Sequence, residues 1–365
     1  MATKTKARAV VTKASAVRTA QLQFLIPKRV PRGALTLVAG YPGKGKSLWT
    51  AEVAACITRG FGDPPAKVLF MGSEDTVEHV YVPRLIAAGA VLDGIEFVDL
   101  RIGEGDEELP AGSLRFPDNA DELAEIVAEG DYRMLVIDPV LSHVNTKLVS
   151  AFKDETLRQY LFDPLARIAH TNDCAVVGVM HFNKRAEGEA LLRLSGSAGG
   201  IAGPARSVLY MHDSPDDPDE RILTIAKGNY ARTSDSSLRY RIEEVVVDLD
   251  DGNRAPIPHL VYQDESDYTT EDLVAGGQAE GPAVSELIEF LKEELAEGPR
   301  PTEELIKRAG EAGLSTTKGT WFRARQRLGI KPGKSEFQGQ WKLALPEHQE
   351  KVTIRRRSTK AKETH

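Results

Sequence analysis

Gly40-Tyr41-Pro42-Gly43-Lys44-Gly45-Lys46-Ser47 is the stretch that decides the fold of this 365-residue chain. It fits the pattern GxxxxGK[ST], a phosphate-binding loop between a strand and a helix. Residues 34–39 before it form an apolar run that predicts a buried strand, and residues 48–58 after it predict a helix. Glycines let consecutive backbone N–H groups surround phosphates, and the helix N-terminus adds partial positive charge. The sequence therefore predicts a nucleoside triphosphate site.

The positions of this loop have expected roles in binding ATP and Mg²⁺. Lys46 is expected to reach the β- and γ-phosphates, and the Ser47 hydroxyl to bind Mg²⁺. Asp138 ends the apolar run 134–137, where a second Mg²⁺ ligand is expected. The predicted nucleotide-binding residues are Gly40, Gly43, Lys44, Gly45, Lys46, Ser47 and Leu48.

The catalytic base must come from a strand other than the one that ends at Asp138. Pro139 follows that aspartate, where many helicases and transport ATPases carry a glutamate. Glu74 is the best candidate, because it lies just past the predicted strand 68–71, and parallel strand ends converge on the ligand crevice. Asp75 is the alternative base.

A third strand, predicted over residues 175–180, is followed by His181. This position places the imidazole beside the γ-phosphate, where a hydrogen bond could detect it. The residues that follow form a basic loop rich in Gly and Ser that runs to Gly203 and includes Lys184, Arg185 and Arg193. Such a loop could couple hydrolysis to a bound single strand of nucleic acid.

Short continuous apolar runs alternate with amphipathic helical stretches up to about residue 265. Runs of this kind predict strands buried on both faces, and so an α/β fold with a parallel central sheet. Three later runs, within 207–247, predict strands joined by hairpins. The expected organisation is a basic tail over 1–21, an ATPase domain over 22–263, a linker over 264–281, a small domain over 282–346 and a basic tail over 347–365.

The small domain has the pattern of a winged helix-turn-helix. Three helical stretches, 283–295, 302–312 and 316–328, precede a predicted hairpin over 331–345. Arg323, Arg325 and Arg327 lie on or near the third helix, at the position of a recognition helix, and are predicted to contact DNA. A module that docks on another protein is the alternative interpretation.

Composition and charge favour an ordinary protein of the cytosol that contacts a polyanion. The net charge is −7, yet residues 1–51 carry ten basic and no acidic side chains. No apolar run approaches the ~20 residues of a membrane span, and the N-terminus lacks the apolar core of a secretory signal. Cys56 and Cys174 are far apart and do not predict a disulfide framework.

Five motifs in order give the chain a family resemblance. They are GYPGKGKS, FMGSED, MLVIDP, VMHFNK and ILTIAKGNYAR, and together they resemble the RecA-type ATPases over about residues 22–245. The resemblance is closest to the RepA-like hexameric helicase branch, which is related to the DnaB helicases. The C-terminal module resembles winged helices of plasmid and phage replication proteins.

This resemblance implies a RecA-like core and a homo-oligomeric ring, hexameric in type, with ATP sites between subunits. It implies that Glu74 is the base, that His181 senses the γ-phosphate and that Lys227 reaches the neighbour's site. That branch often carries an Arg two residues after this Lys, and this chain has Asn229, so Arg232 is a possible substitute. An arginine finger contributes strongly to phosphoryl transfer, so slow hydrolysis is one expectation.

The leading hypothesis is an ATP-dependent DNA motor of replication or recombination, a RepA-like helicase acting on single-stranded DNA, with other replication proteins as further partners. The alternatives are a RecA-like strand-exchange or accessory ATPase or a helicase loader, and a DNA-binding regulator that uses ATP as an assembly switch. The LSGGQ signature of transport ATPases should precede Asp138, whereas Leu194-Ser195-Gly196-Ser197 follows it and does not match.

Overall fold

A computed structural model describes most of the chain. The described residues are 11–61, 63–102, 109–147, 154–181, 202–233, 235–274, 282–316, 318–330, 333–334 and 340–351.

A nine-stranded sheet is the centre of the described structure. Its strand order is β13-β12-β11-β10-β3-β9-β8-β4-β5, and the six strands from β10 to β5 are parallel to one another, whereas β11, β12 and β13 are antiparallel. The strands of this sheet are β3 (Leu35–Gly40), β4 (Lys67–Gly72), β5 (Ile95–Phe97), β8 (Tyr132–Asp138), β9 (Ala175–His181), β10 (Ser207–Asp213), β11 (Glu220–Gly228), β12 (Ser237–Asp248) and β13 (Arg254–Ser266). Two small antiparallel pairs lie outside it, β1 (Phe24–Ile26) with β2 (Val30–Pro31) and β6 (Leu100–Ile102) with β7 (Leu109–Gly112).

Helices cover both faces of the sheet. They are α1 (Lys46–Arg59), α2 (Val82–Ala87), α3 (Ala120–Gly130), α4 (Asp154–Leu157), α5 (Asp163–Thr171) and α6 (Thr270–Val274), and a π-helical turn over 158–162 joins α4 to α5. Side chains alternate between the faces of a strand. Leu35 and Leu37 of β3 therefore pack in a core with α3 and α5, while Val38 packs in a second core with Trp49 of α1. Because helices cover both faces of the sheet, the central strands are apolar on both faces and their sequences are continuous apolar runs.

The C-terminal module follows as three helices and three short strands. They are α7 (Pro282–Leu295), β14 (Arg300–Pro301), α8 (Thr302–Glu311), α9 (Lys318–Arg327), β15 (Gly333–Lys334) and β16 (Trp341–Leu343). The strands form an antiparallel sheet in the order β14-β16-β15, and the module has its own apolar core that includes Leu287, Leu305 and Trp321. The three helices and the strand pair after them follow the expected order, whereas β14 was not expected, and the interpretation of this module as a winged helix remains a prediction.

The stretch expected as a linker differs from the expectation. Residues 264–274 hold the end of β13 and all of α6, and Tyr268 is 2 % exposed. Their polar side chains are bonded internally, since Ser237 Oγ donates to Tyr268 O over 2.7 Å and the Thr224 and Thr270 hydroxyls are 2.6 Å apart. The polar composition of residues 264–274 therefore did not indicate that they are packed. Residues 275–281, the rest of that linker, lie outside the described residues.

The predicted α/β class, with a RecA-like P-loop core around a mostly parallel sheet, is confirmed. Strands and helices that were expected from apolar periodicity lie within one or two residues of their predicted bounds. Strand β13 was not expected, because Pro256 and Pro258 interrupt its pattern. It is the outer strand of the sheet, where a residue without an N–H is tolerated. Every helix within the described residues is too short or too polar to cross a bilayer.

Candidate active site

Parallel strand ends bring the sequence-predicted catalytic residues together at one edge of the sheet. In the register of β3 with β9, Gly40 is paired with His181, and in the register of β4 with β8, Gly72 is paired with Asp138. The loop after β3 leads into α1, and Glu74 follows β4. The phosphate loop, the predicted metal ligand, the predicted base and the predicted sensor therefore share the carboxyl edge, as expected for a ligand crevice in a parallel sheet.

The phosphate loop has the backbone shape that its glycines predict. Gly43 has φ +77° and Gly45 has φ +82°, a region that other residues rarely adopt. Gly45 N-caps α1, and Trp49 N donates to Gly45 O over 2.8 Å, so the first turn of the helix begins directly behind the loop. A Cβ on Gly40 would lie 2.8 Å from Met211 O, which leaves no room for a side chain there.

Lys46 lies beneath this loop and is 5 % exposed. Its ammonium group donates to Gly40 O and Tyr41 O, each over 3.0 Å. Burial lowers the pKa of Lys46 to about 8, against the opposing attraction of Asp138 and Glu74. A desolvated ammonium group that is held, among the residues the structure describes, by two carbonyl oxygens has strong residual attraction for an anion. This is the electrostatic property that a phosphate-binding lysine needs.

Asp138 and Ser47 form a donor set that fits Mg²⁺. Burial raises the pKa of Asp138, while a hydrogen bond from the Ser47 hydroxyl and the charge of Lys46 lower it. The Oδ2 atom of Asp138 is buried and has no hydrogen-bond partner within the described structure. A carboxylate oxygen and a hydroxyl oxygen side by side are hard ligands of the kind that Mg²⁺ takes together with nucleotide phosphates and water. The predicted assignment of these two residues to the metal therefore fits the geometry.

The two candidate bases differ in their surroundings. The Asp75 carboxylate pairs with Arg84 over 3.1 Å, and its charge acts on Asp138. Glu74 lies 3.5 Å from Ser142 Oγ, and its charge acts on Lys46, Asp138 and His181. Glu74 thus acts on more of the charged groups of the site and Asp75 is held by an arginine, so the arrangement favours Glu74 over Asp75 as the base.

His181 is exposed at the end of β9, where its pairing with Gly40 places it beside the start of the phosphate loop. Partial burial lowers the pKa of His181, and the neighbouring Lys46 ammonium lowers it further. A neutral imidazole is therefore favoured at neutral pH. A neutral ring has one N–H, so it can donate a hydrogen bond to a phosphoryl oxygen as the predicted sensor role requires.

Two residues that the sequence analysis did not identify contact Lys44 of the phosphate loop. Tyr240 of β12 is buried and donates its hydroxyl to Lys44 O over 2.8 Å. The Lys44 ammonium group, expected to bind nucleotide, contacts both oxygens of Asp213 over 2.6 and 2.7 Å. Both partners come from strands more than 160 residues away in sequence, so no local pattern could have identified them.

Tyr81 was also missed, and it lies under the strand ends of the site. Its hydroxyl donates to Asp138 O over 3.4 Å, and a Cβ on Gly72 would lie 2.5 Å from that hydroxyl oxygen and 2.8 Å from the ring. The adjacent Gly72-Ser73 in the sequence was a signal of a close approach at this point.

Lys227 lies toward the opposite edge of the sheet, where the parallel strand β10 begins. It is paired with Val208, which is paired with Leu37, three residues and about 10 Å before Gly40 along the strand. Its ammonium donates to the carbonyl oxygens of Ala202, Gly203 and Ala205 over 2.6, 3.2 and 2.8 Å. Burial lowers the pKa of Lys227, with a smaller effect from Arg206. The expected finger is therefore engaged by its own chain, and it bonds the end of the basic loop and the residues just after it.

The predicted DNA-binding residues have different outcomes. Lys184, Arg185 and Arg193 lie outside the described residues, and so does the side chain of Arg323. Arg327 is exposed at the end of α9. Arg325 is only 7 % exposed, and its guanidinium contacts Asp216 over 3.3 Å. The face of α9 that carries Arg325 is packed on the ATPase core, so its guanidinium is bonded within the chain here, and its contact with DNA stays a prediction.

Comparison with known proteins adds one match to this geometry. A family model described as "AAA domain" matches residues 2–187, just over half of the chain, and this span contains the phosphate loop, Glu74, Asp138 and His181. A search of curated proteins found no match.

Proposed function

The chain belongs to the AAA-domain family and is a P-loop ATPase, and from that premise we propose that it is an ATP-driven DNA motor, most similar in type to the RepA-like ring helicases. The observation that carries this proposal is the separation of the catalytic groups. Lys46 and Asp138 lie at one edge of the sheet and Lys227 at the other. A group so placed is remote from its own phosphate loop, and in a head-to-tail ring it would serve a neighbour's site once released from the carbonyls of residues 202–205.

Within one subunit the proposed chemistry follows from the placement of four side chains. Lys46 stabilises charge that develops on the transferred phosphoryl group. Glu74 orients the attacking water, and the neutral imidazole of His181 donates to the γ-phosphoryl oxygens. Ser47 and Asp138 would hold Mg²⁺, which would supply positive charge to offset the charge of the phosphates.

The proposed substrate of the motor is DNA. Support comes from charge, because the first 51 residues and the last 15 are basic while the remainder of the chain is acidic. We propose that a single strand passes the basic loop that contains Lys184, Arg185 and Arg193, and that the C-terminal module contacts duplex DNA or another replication protein. The assembly is proposed to be a hexamer-type ring.

Two alternatives remain, an accessory ATPase or helicase loader and an ATP-switched DNA-binding regulator. The contact of Arg325 with Asp216 favours the second, because a helix that is held on the ATPase core could be released by nucleotide. The loss of the usual second finger residue, here Asn229, favours slow hydrolysis and agrees with either alternative.

Strand displacement separates the motor from both alternatives. A forked duplex with one labelled strand is mixed with the protein and Mg-ATP, and Lys46→Ala serves as the matched control. We expect displacement with ATP, none with a non-hydrolysable analogue and none with Lys46→Ala. Light scattering with ATP and single-stranded DNA should show a ring-sized assembly. If ATP is hydrolysed and DNA is bound but no strand is displaced, the motor proposal is wrong and the regulator becomes the better reading.

A further inference from the structure

One acidic turn touches both the phosphate loop and the C-terminal module. We define it as residues 213–220, Asp213-Ser214-Pro215-Asp216-Asp217-Pro218-Asp219-Glu220, which join β10 to β11. Five of its eight residues are acidic. The pairing of Met211 with Gly40 places this turn next to the carboxyl edge of the sheet, beside the phosphate loop.

On its first side the acidic turn is bound to the phosphate loop. The Lys44 ammonium contacts both carboxylate oxygens of Asp213, and Arg221 Nε lies 3.0 Å from the same carboxylate. The Lys44 side chain is 17 % exposed, so this ion pair is partly shielded from solvent. A nucleoside triphosphate in the loop would bring several negative charges close to Lys44. These charges compete with Asp213 for the same ammonium group and repel the other carboxylates of the turn.

On its second side the acidic turn is bound to α9. Arg325 contacts Asp216 Oδ1 over 3.3 Å and donates to Pro215 O over 3.3 Å. The Tyr268 hydroxyl lies 3.1 Å from both oxygens of Asp216, and the edge of the Phe322 ring packs on the Tyr268 ring with centroids 5.5 Å apart. An arginine that bonds a carboxylate uses the same N–H groups that bind phosphate. Asp216 therefore occupies Arg325 as a DNA phosphate would.

We propose that the acidic turn is an internal ligand of α9, competes with DNA for Arg325, and releases α9 when nucleotide binds the phosphate loop. The proposal rests on the proposed function for its nucleotide and its DNA. Arg239 and Arg241 of β12 also face the turn, and Arg241 pairs with Asp217. Arg239 lies 3.9 Å from Asp216 itself and 3.7 Å from Glu220, so these arginines keep the turn on the sheet, and the expected change is a loosening of α9 and not an unfolding of the turn.

Hydrogen–deuterium exchange on the full chain tests this coupling. Exchange of α9 amides is measured with and without Mg-AMP-PNP in the wild type, in Asp216→Asn and in Asp219→Asn. Asp219 is the matched control, because it is exposed on the same turn and the substitution changes the charge equally. We expect nucleotide to raise α9 exchange by a factor on the order of five or more in the wild type and in Asp219→Asn. Asp216→Asn should exchange fast with or without nucleotide.

The charge-swapped double variant Asp216→Arg with Arg325→Asp tests whether the contact is direct. It should restore slow exchange in α9, whereas each single substitution should not. Fast exchange in the double variant, with a native circular dichroism spectrum, would contradict a direct ion pair between these positions.

DNA binding supplies the second measurement. Freeing Arg325 adds one phosphate contact, so Asp216→Asn should bind duplex DNA more tightly, with a slope of log affinity against log salt steeper by about 0.9. Equal effects of Asp216→Asn and Asp219→Asn would mean that only the overall charge matters, and the proposal would be wrong. If AMP-PNP protects the amides of residues 40–48 but leaves α9 unchanged, the coupling fails while ATP binding stands. If AMP-PNP protects neither, the ATP site and the coupling both fail.

Discussion

At the residue scale, the central feature is the buried ammonium group of Lys46 beneath the phosphate loop. Lys46 has two carbonyl partners and a pKa lowered to about 8 by desolvation. Removing it should therefore remove most of the transition-state stabilisation at this loop. We expect Lys46→Ala to retain less than about a tenth of wild-type ATP turnover, since such contacts typically contribute several kcal/mol. Steady-state ATPase assays measure this, and an unchanged melting temperature excludes unfolding.

Lys44→Ala is the informative companion to that variant, because both lysines lie in the same loop. Its ammonium is bonded to Asp213, so its loss should affect turnover less than the loss of Lys46. Equal loss of turnover in both variants would mean that the two ammonium groups share the phosphates, and the assignment of Lys46 as the principal one would have to change.

The choice of base is also a question about single residues. Glu74 acts electrostatically on Lys46 and His181, whereas Asp75 is paired with Arg84. Glu74→Gln should bind ATP with near-normal affinity and hydrolyse it at least about a hundredfold more slowly, the lower range for general base catalysis. Asp75→Asn should keep most of its activity. Binding is measured by calorimetry and hydrolysis by phosphate release, and the reverse ranking of the two variants would assign the base to Asp75.

Local sequence patterns predicted which site residues lie together, but they did not predict contacts between distant parts of the chain. Glu74, Asp138 and His181 could be placed together because each follows an apolar run, and parallel strands end at one edge. Tyr240 could not be found, because its bond to Lys44 O joins residues that are 196 positions apart in the chain. The packed side of α9 was missed for the same reason, since helical periodicity locates an apolar face but not the domain that covers it.

At the element scale, the segment after β8 contains a buried histidine, His143, that contacts the backbone at Leu114. His143 is 0 % exposed, its Nδ1 lies 3.1 Å from Leu114 O, and its Nε2 is buried without a hydrogen-bond partner in the described structure. Because a carbonyl only accepts, the proton is assigned to Nδ1, and a neutral ring is favoured because a second proton on the buried Nε2 would have no acceptor in the described structure. Burial, chiefly, lowers the pKa of His143 below that of the unfolded chain.

This lowered pKa predicts a loss of stability in acid. As pH falls below about 6.5, the unfolded chain binds a proton that the folded chain does not, so the free energy of unfolding decreases by up to about 1.4 kcal/mol per pH unit, until the folded-state pKa is reached. His143→Asn keeps an N–H for Leu114 O and removes the titration. Its loss of stability between about pH 7.5 and about pH 5.5, measured by urea unfolding, should be smaller than that of the wild type.

Exposed His79 provides the control for this measurement. His79→Asn should lose as much stability over the same pH range as the wild type does. If His143→Asn and His79→Asn have the same pH dependence as the wild type, then carboxylates alone account for the acid sensitivity and the buried imidazole does not contribute.

At the scale of the whole molecule, Lys227 decides whether the ATP site is shared between subunits. Its three carbonyl contacts with residues 202–205 would give it a structural role within its own chain. Its distance from its own phosphate loop would suit it to a neighbour's site. The first role acts within a subunit and the second acts across a boundary, so mixing two inactive variants distinguishes them.

We expect Lys227→Ala to be nearly inactive alone and to regain activity when mixed with Lys46→Ala, because each protein supplies the group that the other lacks. In a head-to-tail ring with random mixing, about a quarter of the interfaces would combine an intact Lys46 with an intact Lys227, so recovery up to about a quarter of wild-type turnover is expected. Arg206→Ala and Arg232→Ala, mixed in the same way, test whether a neighbouring arginine is the finger instead. Subunit exchange is verified by energy transfer between labelled proteins. Absence of recovery for Lys227→Ala at every mixing ratio, in rings shown to exchange, would assign this lysine to the support of residues 202–205 and would remove the main argument for a shared site.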